Sequence, residues 1–272
     1  MDKGDVYQMK KRLLALSLAL VMALPLVGCG KKKTSDSDLA YIQDKGTLVI
    51  GVTAFEPMDY RDADNNWIGF DADMARAFAE SLGVKAEFKE IEWDDKVLNL
   101  QDKKIDVVWN AMTLSDEVSA AMACSIPYCR NAQVVVLPTD KAAAYPNEDS
   151  LKTLSFVAEK GSAGFDALSE KGISPASVDD SIAALDRVAA GAYDACAMDV
   201  VLVKAMVGPG NNYPDLTHTV ELRNEMYTVG CRKGSDLTKE LDEFFKAAHA
   251  DGTTQKIATE YGIRDYILDP NA

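Results

Sequence analysis

A run of β-branched residues at 47–53 (TLVIGVT) is followed by a helix whose apolar residues return every four positions, and then by a second strand at 86–91. Phe70, Met74, Phe78 and Leu82 mark the helix, Ala75 and Ala79 lie beside them, Asp71 begins it and Gly83 ends it. Asp94 is placed to cap a short helix reaching Leu100, and residues 105–109 read as a third strand. Strand and helix alternating in this order build parallel pairings, so the chain reads as α/β. Ligand crevices in such folds open at the carboxyl ends of the strands. The stretch WNAMTLSDEV, residues 109–118, lies at one such end.

The pattern then restarts. Residues 133–137 read as a strand, 142–150 as a loop with a turn at Pro146-Asn147, and 154–158 as a strand. Gly161-Ser162-Ala163-Gly164 leads into a helix, and Ile182, Leu185, Val188 and Ala189 mark another that Gly191 stops. Residues 194–198 form a strand, Asp199 caps a helix over 200–207, and 219–222 and 227–231 are further strands. Helices at about 236–249 and 253–261 close the chain. Two α/β units follow from this, with a late segment able to return to the first.

The N-terminus reads as processed. Lys10, Lys11 and Arg12 precede an apolar run at 13–27, which is short of the roughly 20 residues of a membrane span and fits a secretory signal peptide over residues 1–28. Leu26-Val27-Gly28-Cys29 resembles a bacterial lipobox, which implies that Cys29 is lipidated and becomes the first mature residue. Residues 29–38 are polar, without apolar periodicity, and read as a lipidated tether. The formal net charge is −14, and removing the basic leader makes the mature chain more acidic still, which argues against nucleic acid as a partner. Of the 5 cysteines, Cys124 and Cys129 are near enough to bridge, a question the sequence leaves open. Cys196 and Cys231 sit in apolar strand patterns and read as buried thiols. No spacing resembles a zinc site, and His218 and His249 are isolated, so no metal and no cofactor are expected.

The motifs "GTLVIGV", "GFDADMARAFAESLGV", "KKIDVVWNAMTLSDE", "GSAG", "AAGAYDACAMD" and "RKGSDLTKELDEFFKAAHADGTTQKIATEYG" resemble, in order and spacing, the type II extracytoplasmic solute-binding proteins of ABC importers, in the branch that binds polar amino acids (bacterial solute-binding protein family 3). The resemblance runs from about residue 46 to 267. It implies a two-lobed periplasmic-binding-protein-like fold with two parallel-rich sheets joined by a two-strand hinge. Lobe 1 would hold residues 39–130 and 227–272, and lobe 2 residues 131–226, with the hinge near 128–132 and 224–227. It further implies a monomer whose partners are a small polar solute, an ABC transporter permease and, through the lipid, the outer face of the bacterial cell membrane.

A free amino acid carries an ammonium and a carboxylate, and each needs a partner once water is excluded. Asp199 stands where the family's ammonium-binding aspartate stands, and the capping role is compatible with that. Asn110, Ala111 and Thr113 line the joint, the Asn110 carbonyl and Thr113 hydroxyl as helpers to the ammonium. Ser162, Ala163 and Gly164 open a helix whose N–H groups can face the carboxylate, with Thr113 as a further donor. Phe55 and Trp93 match the family's aromatic walls, though either fits a core position as well. Glu56 is placed to read the ligand's side chain or an amine, and is equally a solvated loop acid. Glu159 stands where some relatives carry a cation. The family's arginine clamp is absent: Thr-Ile-Thr-Asp-Glu-Arg is replaced by Thr113-Leu114-Ser115-Asp116-Glu117-Val118. Arg130 is the nearest substitute in sequence.

The leading expectation is a lipid-anchored receptor that captures a small polar solute, an amino acid or amino-acid-like amine, for a permease. The alternatives are a ligand-sensing or degenerate binding lipoprotein without a transport role, and a dehydratase-like or peptidoglycan-cleaving enzyme with Glu56 or Glu159 as its acid. No nucleophile motif or acid pair supports the enzyme.

Overall fold

In the computed structural model, which describes residues 37–271, the first element is a helix that begins at Asp38, the last residue of the expected tether. Helix α1 (Asp38–Lys45) is capped by Ser37, whose side chain accepts from the Ala40 N–H, and it ends at Gly46 in a left-handed conformation. The polar stretch therefore stops short of Ser37. Asp38 is buried and pairs with Arg232 at 2.9 Å, which ties α1 to the fold. The expected signal peptide, Cys29 and residues 30–36 of the expected tether lie outside the described residues.

The first half of the chain builds β1 (Thr47–Val52), a hairpin of β2 (Tyr60–Arg61) and β3 (Trp67–Ile68), helix α2 (Phe70–Ser81), β4 (Lys85–Glu90), α3 (Lys96–Gln101), β5 (Val107–Val108), α4 (Asp116–Ala121) and β6 (Ala123–Cys124). Phe70, Met74 and Phe78 of α2 are fully buried, as their four-residue spacing requires. Asp94 does not cap α3. It lies inside a 3-10 turn (Trp93–Asp95) that precedes the helix, and its carboxylate reaches Lys160 at 2.7 Å.

The second half builds β7 (Cys129–Pro138), β8 (Phe156–Glu159), α5 (Ala163–Glu170), β9 (Ala176–Val178), α6 (Ser181–Ala189), β10 (Ala195–Asp199), α7 (Val200–Met206), β11 (Leu216–Tyr227), β12 (Gly230–Cys231), α8 (Leu237–Ala250) and α9 (Thr253–Glu260). Residues 219–222 and 227 belong to one long strand, β11, where the sequence suggests two. Glu221, Arg223, Asn224 and Glu225 interrupt its apolar pattern, but the chain stays paired with β7 from Leu216↔Pro138 to Tyr227↔Cys129, with register shifts around Glu221. Residues 142–150, expected as loop, hold a 3-10 turn at Ala142–Ala144 and the start of a second at Glu148–Thr153, opened by an Asn147–Ser150 capping box.

Two five-stranded sheets result, ordered β4-β1-β5-β12-β6 and β11-β7-β10-β8-β9. In the first, β1 runs parallel to β4 and β5 while β12 runs antiparallel to β5 and β6. In the second, β8 runs parallel to β9 and β10 while β7 runs antiparallel to β10 and β11. The parallel half of each sheet is the βαβ repeat expected from sequence. The antiparallel half arises where the chain crosses between sheets, which the repeat does not foretell. The crossings run side by side: Ser125 N–H donates to Val229 O at 3.0 Å, and Tyr128 N–H to Tyr227 O at 3.0 Å. Helices α8 and α9 return to the first sheet, where Phe244 and Phe245 stack into a cluster with Phe78, Trp109 and Tyr128. All four cysteines among the described residues are free, with Cys196 and Cys231 fully buried.

Candidate functional site

A cavity of about 190 Å³ lies between the carboxyl ends of β1 and β5 on one side and of β8 and β10 on the other. The joint after β5 forms its floor, and buried hydrogen bonds hold that joint. The Asn110 side chain accepts from Thr53 N–H at 3.1 Å and from Thr53 Oγ1 at 2.7 Å, and donates to Asp59 at 2.8 Å. It is fully used, which leaves its backbone carbonyl to face a ligand. Ala111 has a φ of +48°, a left-handed conformation that costs a non-glycine residue about 1–2 kcal/mol. Its N–H donates to Asp71 at 2.7 Å, and Tyr128 OH donates to the same carboxylate oxygen at 2.8 Å. Burial pushes the Asp71 carboxyl up to about 7, against these stabilising bonds.

Asp199 ends β10 directly before α7 but does not cap it with its side chain. The carboxylate turns away from the helix and accepts from Tyr227 OH and Gln133 Nε2, each at 2.9 Å, and from Asn131. Burial pushes it well above the usual carboxylate range, and the neighbouring Glu225 pushes it further. Glu225 binds the other side of the same amides and accepts from Thr113 Oγ1 at 2.8 Å. The Thr113 hydroxyl proton is thus committed to Glu225, and its remaining capacity is as an acceptor.

The opposite wall begins at the end of β8. Glu159 accepts from Ser181 Oγ at 2.6 Å, and burial pushes it up to about 7. Ser162 caps α5 by accepting from Phe165 N–H at 3.1 Å, so Ala163 and Gly164 keep the unmatched N–H groups of the first turn. Ser162 and Ala163 line the cavity; Gly164 packs behind it, where a Cβ would lie 2.5 Å from Ala197 O. Phe55 and Trp93 are in the lining and Glu56 is not.

Where the arginine would stand, Val118 forms an apolar wall with Val97, Met112, Ala121 and Met122. Arg130 does not replace it. Its guanidinium donates to Asp265 O at 3.1 and 2.6 Å and lines a separate groove. The cations of the cavity are Lys96 and Arg223, both missed in sequence. Arg223 is the harder to find, because it sits in the stretch of β11 that the apolar pattern skips. Lys96 did carry a signal: it opens a helix, where the macrodipole disfavours a cation. Among the described residues, no group of three or more His, Cys, Asp or Glu side chains is arranged to hold a metal ion.

A family model for bacterial extracellular solute-binding proteins, family 3, matches residues 48–264. The chain belongs to that family. This solute-binding protein is 28% identical to the L-cystine-binding protein TcyJ of Escherichia coli (strain K12) over 247 residues, which span 89% of this chain and 92% of TcyJ. A crystal structure of an ABC uptake transporter substrate-binding protein from Streptococcus pneumoniae with bound histidine superposes with a TM-score of 0.78 at 26% identity, over 86% of this chain and 100% of that one. An enzyme is also among the relatives. Cyclohexadienyl dehydratase of Pseudomonas aeruginosa is 28% identical over 114 residues, 42% of this solute-binding protein and 42% of the dehydratase. The relatives matched along nearly their whole length are binding proteins, and the family is extracytoplasmic.

Proposed function

We propose that this protein is a lipid-anchored receptor that binds an α-amino acid, or an amine resembling one, between its two sheets and hands it to an ABC transporter permease. Asp199 carries the reading. It is a buried carboxylate that faces a cavity, leaves the adjacent helix uncapped, and lacks a counter-charge that a ligand ammonium would supply. Asn110 O and the lone pairs of Thr113 are its helpers, and Phe55 and Trp93 are the walls. The names of the relatives, which bind cystine and histidine, agree with this class of ligand.

Titration calorimetry of the purified mature protein against the L-amino acids and L-cystine, with mass spectrometry of whatever co-purifies, tests the reading. Saturable binding of at least one amino acid is expected, and a cavity that takes none of them overturns it. Trp93→Ala lowers the affinity of the bound solute more than tenfold, a loss of roughly 1.4 kcal/mol or more, with the protein still folded. Unchanged binding by that variant would move Trp93 from the wall to the core. The anchor is tested separately. Cys29→Ser releases the protein from membranes, and membrane association that survives the change, with no lipid on the mature terminus, would refute the anchor.

A further inference from the structure

We propose that Lys96 is the anion partner of the cleft in place of an arginine at residue 118, holding the ligand carboxylate against the free N–H of Ala163 at the start of α5. The inference rests on the amino-acid reading above. Its first support is the state of the two cations. Arg223 is already matched: it pairs with Glu170 at 2.9 Å and with Glu225 at 3.5 Å, and donates to Ala163 O at 3.2 Å. Lys96 is not. Its ammonium makes two long bonds to backbone carbonyls, Trp93 O at 3.2 Å and Gly161 O at 3.3 Å, and lies 4.6 Å from the Trp93 ring centroid. An ammonium has three donors, and among the described residues no carboxylate comes within 4.0 Å of this one. Four acids act on it without an ion pair: Asp94 and Glu159, engaged with Lys160 and Ser181, and Asp166 and Glu117 of the cavity lining.

The second support is position. The contact with Gly161 O sets Lys96 beside the turn that opens α5, so the cation and the free N–H of Ala163 lie on one side of the cavity. The third is the alternative. The wall of Val97, Met112, Val118, Ala121 and Met122 offers a carboxylate no side-chain donor, and a charge desolvated there without a partner is costly. Burial already pulls the Lys96 ammonium below the usual lysine range, and an adjacent carboxylate would reverse that shift. The ligand is thereby oriented with its ammonium on Asp199, its carboxylate on Lys96 and α5, and an apolar section of its side chain along the wall at Val118. The cleft selects amino acids with such a side chain.

The test takes the tightest-binding L-amino acid from the calorimetric panel together with its carboxamide, which keeps the ammonium and side chain but loses the anion. Wild type binds the acid more tightly than the carboxamide. Lys96→Met weakens the acid roughly 30- to 100-fold and changes the carboxamide less than about threefold, and Lys96→Arg recovers most of the acid's affinity. Melting curves establish that the variants are folded, and Lys96→Gln stands in for the methionine variant if that one is not. Equal losses for acid and carboxamide, or no loss for either, overturn the role of Lys96 while leaving the amino-acid reading intact. Equal wild-type affinity for the two probes overturns it without any variant. A wild type that binds no amino acid overturns both proposals.

Discussion

Asp199→Asn weakens amino-acid binding by roughly 100- to 1,000-fold, while the melting temperature of the empty protein stays level or rises. The two halves of this result share one cause. Asp199 is 8% exposed, bonded to Tyr227 and Gln133, and beside a second carboxylate, Glu225. Its charged form is disfavoured there, and its folded pKa lies above the unfolded value. For an acid shifted upward, the native state holds the proton longer, so folding is penalised above the folded pKa and the penalty lifts as pH falls through it. Asparagine removes the penalty at every pH and keeps an oxygen for Tyr227 and Gln133. A ligand ammonium, however, then enters a buried site with no opposite charge. Wild-type affinity accordingly falls as pH is lowered, at a higher pH than an ordinary carboxylate would give, and the asparagine variant loses that dependence. Calorimetry and thermal melts across a pH series measure both halves. An asparagine variant that binds like wild type would remove Asp199 from the site.

Arg232→Met costs roughly 3–5 kcal/mol of folding stability and lowers the melting temperature by about 6–20 °C. Arg232 follows β12 and pairs with Asp38 at 2.9 Å and Asp106 at 3.3 Å, while donating to Ile105 O at 2.7 Å. The Asp106 side chain is fully buried and also bonds Lys45 and Val49 N–H, so one guanidinium locks α1, β1 and β5 together. Methionine matches the stem of the arginine but leaves Asp38 buried without a cation. Arg232→Lys recovers only part of the loss, because one ammonium cannot reproduce the bidentate fork. Thermal and denaturant unfolding read the effect, and a methionine variant within about 1 kcal/mol of wild type would show the network to be dispensable.

Periodicity made the helices and the strands of the βαβ repeat legible. Phe70, Met74 and Phe78 announce α2 because one face of that helix must be buried whatever else the chain does. The strand β11 is harder to read because Arg223, which lines the cavity, and Glu225, which accepts from Asn131 and Gln133, sit within it, and polar residues in such places erase the pattern that marks a strand. The same conflict hid part of the site. Asp199 could be found by its place at a strand end, but its freedom from the helix cap depends on Asn131, Gln133 and Tyr227, which lie far away in sequence. Arg130 looked like the replacement for the missing clamp because it was near in the chain. The topology instead delivers Lys96 and Arg223, from two elements that meet only when the sheets face each other.

The contact between Asp94 and Lys160 joins the two rims of the cavity, and Lys96 with Gly161 repeats the connection a few residues away. Any movement that parts the sheets must break both. The two contacts tie the rims of the cavity to each other. The same ties oppose any opening of the cavity. The Asp94–Lys160 ion pair is exposed enough for dissolved salt to weaken it. Ionic strength thus acts directly on how readily the rims part, through a pair of which only Asp94 lines the cavity.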